Sequence, residues 1–184
     1  MKRLAVYTEF MAKSHAVLFA TDVAARGLDF PKVQWVVQAD CPEDVATYIH
    51  RTGRTARHTA SGRALLLLLP SEAPAMLEHL SHAKVQLHRL VPNTKHVHPL
   101  KSRLQSLLAE RSELKYTAQR ALVSYVRSVH LQGNKAVFDA SQLPLAAMAE
   151  SMGLMAPPRI RFLSSSSGAK KGDRNWEADS KSRS

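Results

Sequence analysis

Three arginines, Arg51, Arg54 and Arg57, recur at a three-residue step in the stretch HRTGRTAR, with Gly53 between the first two and His50 leading it. On a helix that step carries them around one side of the chain. No carboxylate lies between Arg51 and Arg63 to neutralise them, so an external anion is a natural partner. Guanidinium forks suit phosphoryl oxygens bidentately, and an arginine at a γ-phosphate stabilises the charge that develops in phosphoryl transfer. The plain alternative is a solvated basic face, or arginines paired with distant acids. A second chemistry-bearing stretch, ATDVAARGLDF over residues 20–30, follows an apolar run that reads as a strand. Ligands of open α/β sheets bind beyond the carboxyl ends of strands. Thr21 offers a hydroxyl and an amide to a phosphate, Gly27 permits close backbone approach, and Asp29 can accept hydrogen bonds from a ribose. Asp22 and Arg26 share that turn. Its plain alternative is a strand-to-helix turn whose aspartates cap and whose arginine makes an ion pair.

The elements that would position these residues follow from the apolar pattern. AVLFA (16–20), WVVQAD (35–40) and RALLLLL (63–69) are continuous rather than alternating, which predicts strands covered on both faces by helices. Leu4, Tyr7, Phe10 and Met11 fall on one helical face before the first run, and CPEDVATYIHR reads as a helix opened by a proline and two acids. The alternation predicts an α/β domain with a mostly parallel sheet. From Ser71 the character changes. SEAPAMLEHL suggests a short helix, residues 91–99 a polar connector, and Leu100, Leu104, Leu107 and Leu108 one stripe of a further helix. Over residues 112–132, Leu114, Ala118, Ala121, Leu122, Tyr125, Val126 and Val129 form one apolar face, with Arg120 and Arg127 opposite. A last helix is expected from near Ser141, with Pro144 in its first turn and Gly153 as its stop. The Ser-rich tail from 164 to 184 reads as disordered.

ATDVAARGLD followed by YIHRTGRTAR resembles motifs V and VI of the DEAD-box RNA helicases, and the joint match is specific. VVQADCPEDVATYIH between them and GRALLLLLPSE after them are also similar to that family. The resemblance implies an incomplete RecA-like parallel-sheet domain over residues 1–90. It implies that Thr21 and Gly27 lie along the RNA backbone, that Asp29 contacts the ATP ribose, and that Arg54 and Arg57 are arginine fingers. Asp22, Arg26, His50 and Arg51 would belong to the polar network linking nucleotide to RNA, with Gly53 shaping the turn. Ala56 stands where the family more often has glycine. Residues from about 100 to 163, with RALVSYVRSVHL, KAVFDASQLP, MGL and APPRIRFL, resemble the C-terminal extension of nucleolar family members that act in ribosome biogenesis, which implies a small helical extension over residues 91–163. The implied partners are ATP with Mg²⁺, precursor ribosomal and small nucleolar RNA, and ribosome-assembly proteins, in the nucleolus of the nucleus. Arg120, Arg127, Arg159 and Arg161 give the extension phosphate-binding capacity, whereas Tyr125 reads as core rather than a stacking platform.

Composition bounds these readings. A formal charge of +11 and a pI near 10.2 favour a polyanionic partner. The single cysteine, Cys41, excludes an intrachain disulfide framework and reads as structural. His79, His82, His88, His96 and His98 lack the cysteine and acidic partners of a zinc site and read as solvated or packing residues. The apolar run 64–69 is too short to span a bilayer, the N-terminus lacks a signal-peptide core, and the chain reads as soluble with no membrane partner. None of the seven glycines opens a phosphate-binding loop ending in Lys-Ser or Lys-Thr, and the D-E-A-D tetrapeptide is absent. The lysine and Mg²⁺ site facing the fingers are therefore expected on a separate N-terminal helicase domain. The 184-residue chain by itself is expected not to hydrolyse ATP, and its unpaired sheet edge to favour aggregation. A non-catalytic RNA-binding scaffold subunit of a pre-ribosomal particle is the competing reading.

Overall fold

A computed structural model describes residues 2–22, 30, 33–55, 62–160 and 162. It divides into two compact units, the first running to Val97 and including Val129–Gln142, the second comprising His98–Ser128 and the residues from Leu143 onward.

The first unit is α/β. Helix α1, Lys2–Ala12, turns Tyr7 and Phe10 onto the buried Phe30, both edge-on, with ring centroids 5.4 and 6.1 Å away. Such tilted contacts place a positive ring edge against a negative face. Strand β1, Trp35–Gln38, pairs parallel with β2, Arg63–Leu66, in the register Trp35↔Arg63 to Gln38↔Leu66. The first rung carries a cation–π contact, with Arg63 5.4 Å from the Trp35 ring centroid. Helix α2, Val45–Thr52, lies between the strands in sequence. Asp44 caps it, accepting from Thr47 N at 2.7 Å, which satisfies one of the donors a helix start leaves unpaired. Helix α3, Ala73–His82, carries Pro74 in its first turn and buries Met76 and Leu80 completely. Val137, Phe138 and Ala140 are buried further along the same unit.

Two strand expectations need correction. Residues 16–20 form no strand; Val17 is 80% exposed and Phe19 94% exposed. A strand exists only through a ladder partner, and AVLFA has none among the described residues. The other two strands form, but they are not covered on both faces: Trp35 and Val37 are half exposed. β2 also ends at Leu66 rather than Leu69.

The second unit is helical. It contains α4, Lys101–Glu110, most of α5, Ser112–Leu131, and α6, Leu145–Ser151. Leu108, Leu122, Val126, Leu143, Ala149, Leu154 and Ile160 are its buried hydrophobic residues among those described. Tyr125 is half-buried on the core side of α5, as its phase predicts, whereas Ala121 at the margin of that face is exposed. Helix α6 starts at Leu145, later than expected. Ahead of it Asp139 closes a separate 3₁₀ turn, Ala140–Gln142, accepting from Ser141 N at 2.9 Å and Ser141 Oγ at 2.6 Å. These bonds and one from Gln142 hold the Asp139 carboxyl below the usual carboxylate range. Gly153 ends α6 with φ of 79°, and a Cβ there would meet Leu104 backbone carbon at 2.9 Å. Only glycine fits that position. Lys101 and Glu150 form an ion pair within the unit.

Candidate nucleotide and RNA site

Arg51 sits in the last turn of α2, and all three of its guanidinium nitrogens donate inside the first unit. Nε donates to Asp22 Oδ1 at 2.6 Å and Nη2 to Asp22 Oδ2 at 2.8 Å, a parallel fork. Nη1 donates to Asp40 O at 2.9 Å and to Gln38 Oε1 at 3.3 Å. The residue thus ties the segment after residue 20 to the C-terminal end of β1, where α/β sheets place their ligands. Arg51 is mostly buried and Asp22 about half exposed, so the fork is only partly screened by water.

This arrangement separates Arg51 from Arg54. Arg51 donates from Nε, Nη1 and Nη2 within the unit. Arg54 follows one turn later, half exposed, its Nε donating to His50 O at 3.2 Å. His50 is exposed on α2. Gly53 caps α2 with φ of −65°, so it is not present for a left-handed turn. Its reason is proximity: a Cβ would lie 3.1 Å from Ile49 O. Thr21 is exposed beside Asp22. Arg26, Gly27, Asp29, Ala56, Arg57 and Arg161 lie outside the described residues, as does the 164–184 tail.

Three supporting residues escaped the reading from sequence. Gln38, buried, receives Arg51 while its Nε2 has no partner among the described residues. Its one signal was a polar residue closing an apolar strand. Thr55, also buried, donates its hydroxyl to Val33 O and pins the turn after α2 to the approach of β1. Glu72 is 3% exposed and accepts from Leu69 N at 2.9 Å. Burial, opposed by that bond and reinforced by Asp40, raises its carboxyl above the usual range. Burial likewise pushes the Cys41 thiol up to about 12, helped by the negative charges of Glu72 and Asp40 and opposed by Arg51. A thiol held protonated in this way is not a nucleophile at neutral pH. Among the described residues no group of three His, Cys, Asp or Glu could hold a metal ion, and no helix is long and apolar enough to cross a membrane.

Comparison with known proteins bears on the family and the fold. The family description "Helicase conserved C-terminal domain" matches residues 1–59, and "ATP-dependent rRNA helicase SPB4-like, C-terminal extension" matches residues 111–160. The solved structure of the DEAD-box helicase Mss116 bound to single-stranded RNA and UDP-BeF superposes with a TM-score of 0.67 at 27% identity, over 90% of this chain and 33% of that one. Domain 2 of Mss116p bound to an RNA duplex gives 0.64 at 26% identity, over 83% of this chain and 59% of that one. The fold is thus an α/β one resembling the second RecA-like domain of DEAD-box helicases.

Among curated sequences the chain is 56% identical over 163 residues to the probable ATP-dependent RNA helicase DDX10 of Gallus gallus, covering 89% of this chain and 19% of the relative. It is 48% identical over 170 residues to the ATP-dependent RNA helicase DBP4 of Mycosarcoma maydis, covering 92% and 19%. The chain therefore spans about a fifth of the length of these relatives. Its sequence resembles the C-terminal part of the DEAD-box ATP-dependent RNA helicases.

Proposed function

We propose that the chain is the C-terminal portion of an ATP-dependent RNA helicase that remodels short RNA duplexes in ribosomal RNA processing. Residues 1–90 are the latter part of the second RecA-like domain, residues 91–163 the extension and residues 164–184 a polar tail. The observation that carries this reading is the Arg51–Asp22 fork, because it joins the two motif-bearing segments into one structural unit at a strand's carboxyl end. The family resemblance assigns Arg54 and Arg57 as the fingers, and the fork is consistent with leaving Arg51 behind them. Asp29 is assigned to the nucleotide ribose, Thr21 and Gly27 to the RNA backbone, and Asp22, Arg26, His50, Arg51 and Gly53 to the network between them.

The donor set suits a nucleotide triphosphate in one respect and not in another. Guanidinium groups beside an α/β strand end fit phosphoryl oxygens, whereas the described residues provide no metal cluster; by family resemblance the Mg²⁺ ligands and the phosphate-cradling lysine are assigned to an N-terminal helicase domain. Bound ATP would supply the free energy for closing two such domains around single-stranded RNA. This chain's part is to fix the RNA backbone and to bring positive charge to the γ-phosphate. The 184-residue chain alone is proposed to be inactive as an ATPase. Its partners are precursor ribosomal RNA, small nucleolar RNA and ribosome-assembly proteins, and its compartment is the nucleolus.

The test joins this chain to such an N-terminal domain and replaces Arg54 and Arg57 with alanine. RNA-stimulated ATP turnover should fall by about 10³-fold or more while RNA affinity is retained. Unchanged turnover would remove the finger assignment.

A further inference from the structure

The phosphate-binding arginines of the second unit were evident in the sequence, but the aromatic residue that accompanies them was not. In α5 the half-buried Tyr125 faces the core, whereas Tyr116 projects outward and is 61% exposed. One turn on, the Arg120 guanidinium carbon lies 5.6 Å from the centre of the Tyr116 ring. Arg120 and Arg127 follow Tyr116 along the same outward stripe, spaced by four and then seven residues. That face carries a shallow open groove of about 230 Å³ lined by Gln119, Arg120, Val123 and Ser124.

The face combines three properties. A large exposed aromatic ring costs hydration, yet this one is braced by a cation on one side, which limits the conformations it must give up on binding. Two cations, Arg120 and Arg127, share the face with the carboxylate of Glu113, and the segment as a whole is net positive: over residues 111–131, Arg111, Lys115, Arg120 and Arg127 stand against Glu113 alone. Its cations are spread rather than gathered. Arg120 and Arg127 are about 10 Å apart along the helix axis, a spacing for successive anions on a track rather than for one focused phosphate. The groove is smaller than the roughly 300–1,000 Å³ of a drug-sized pocket. Its lining joins one apolar side chain, Val123, to the polar Gln119, Arg120 and Ser124 beside the ring.

We propose that this outward face of α5 is a second RNA contact, in which an unpaired base stacks on Tyr116 and Arg120 and Arg127 hold the adjoining phosphates. The inference rests on the RNA partner assigned above and deepens it by naming single-stranded RNA as the form held and α5 as the place. A stacking platform accepts any base through its π-face, so the contact is tolerant of sequence. An acidic protein segment would be drawn to the same charge but would not need the ring.

Fluorescence anisotropy of the 184-residue chain with a labelled, unstructured RNA oligonucleotide tests this. Tyr116→Ala should raise Kd about tenfold and Tyr116→Trp should restore it. Arg127→Ala should raise Kd and flatten the salt dependence by about 0.7 in log–log slope for each lost phosphate contact. All three replacements are on the surface, so the thermal melts should coincide with that of the parent chain. Tyr116→Ala binding RNA as the parent does overturns the proposal, as does a polyglutamate competitor displacing RNA while Tyr116→Ala has no effect. Photocrosslinking separates this failure from that of the proposed function. RNA crosslinked to residues 20–29 with α5 untouched sinks the α5 site alone, whereas crosslinks on α5 together with full ATP turnover by the Arg54→Ala, Arg57→Ala protein sink the finger reading alone.

Discussion

The strand-end network and the helical extension are closed by opposite means. Around Arg51 closure is polar and directional: one guanidinium reaches a carboxylate, a backbone carbonyl and a buried amide, and each bond fixes an angle. Around Gly153 closure is steric, and the important feature is a missing atom, since a Cβ would fall 2.9 Å from Leu104. The first kind of closure tolerates exposed strand faces such as Trp35 and Val37, because its specificity does not depend on burial. The second depends on close approach alone.

The contrast can be broken from either side. The largest effect is expected at Gly153→Ala, which combines a left-handed φ with a backbone clash and should destabilise the second unit by about 2–4 kcal/mol; amide exchange in α4 and α6 would report it. Arg51→Ala should cost about 1–3 kcal/mol, largely because the buried Gln38 Oε1 loses its donor. Its mark would be faster exchange in β1 and α2 with α4 unaffected; Arg51→Lys, which cannot form the fork, should recover little of the loss.

Glu72 sharpens the comparison through pH. Its carboxyl is raised above 4.5 in the fold, so the native state holds the proton more tightly than the unfolded chain does. The associated stability is fully present below pH 4.5 and is lost as pH rises through the higher folded value. Glu72→Gln keeps an acceptor for Leu69 N and should melt above the parent protein at pH 7.5, with the gap closing as the pH is lowered to 4. A gap independent of pH would refute the buried-carboxyl account. The smallest effect is expected at Lys84, where a non-glycine residue adopts φ of 59° just beyond α3; Lys84→Gly should gain about 0.5 kcal/mol, visible as a small rise in melting temperature.

How far the sequence disclosed this molecule depended on the range of the interactions involved. Helix positions followed from local periodicity, and α2 and α5 lie close to where their apolar faces predict. Asp22 and Arg51 were both legible, because motif residues keep their spacing, and the structure brings them into contact. Gln38, Thr55 and Glu72 were not legible, since each acts through a partner whose identity depends on the fold. The strand expected at AVLFA failed for the same reason. Apolar composition can suggest a strand, but hydrogen bonds to another strand make one. Helical phase had separated Tyr125 from the solvent side correctly, yet whether Tyr116 was an isolated surface ring or part of a cationic pair required the rotamer of Arg120.

The parallel ladder also carries a consequence in time. Trp35 pairs with Arg63 and Gln38 with Leu66, so no rung can close on a growing chain until β2 has left the ribosome. Helix α2, capped by Asp44 within its own turn, can form well before that. During synthesis the β2 side of β1 must therefore wait open beside a finished helix, exposed to mispairing until Arg63 reaches Trp35.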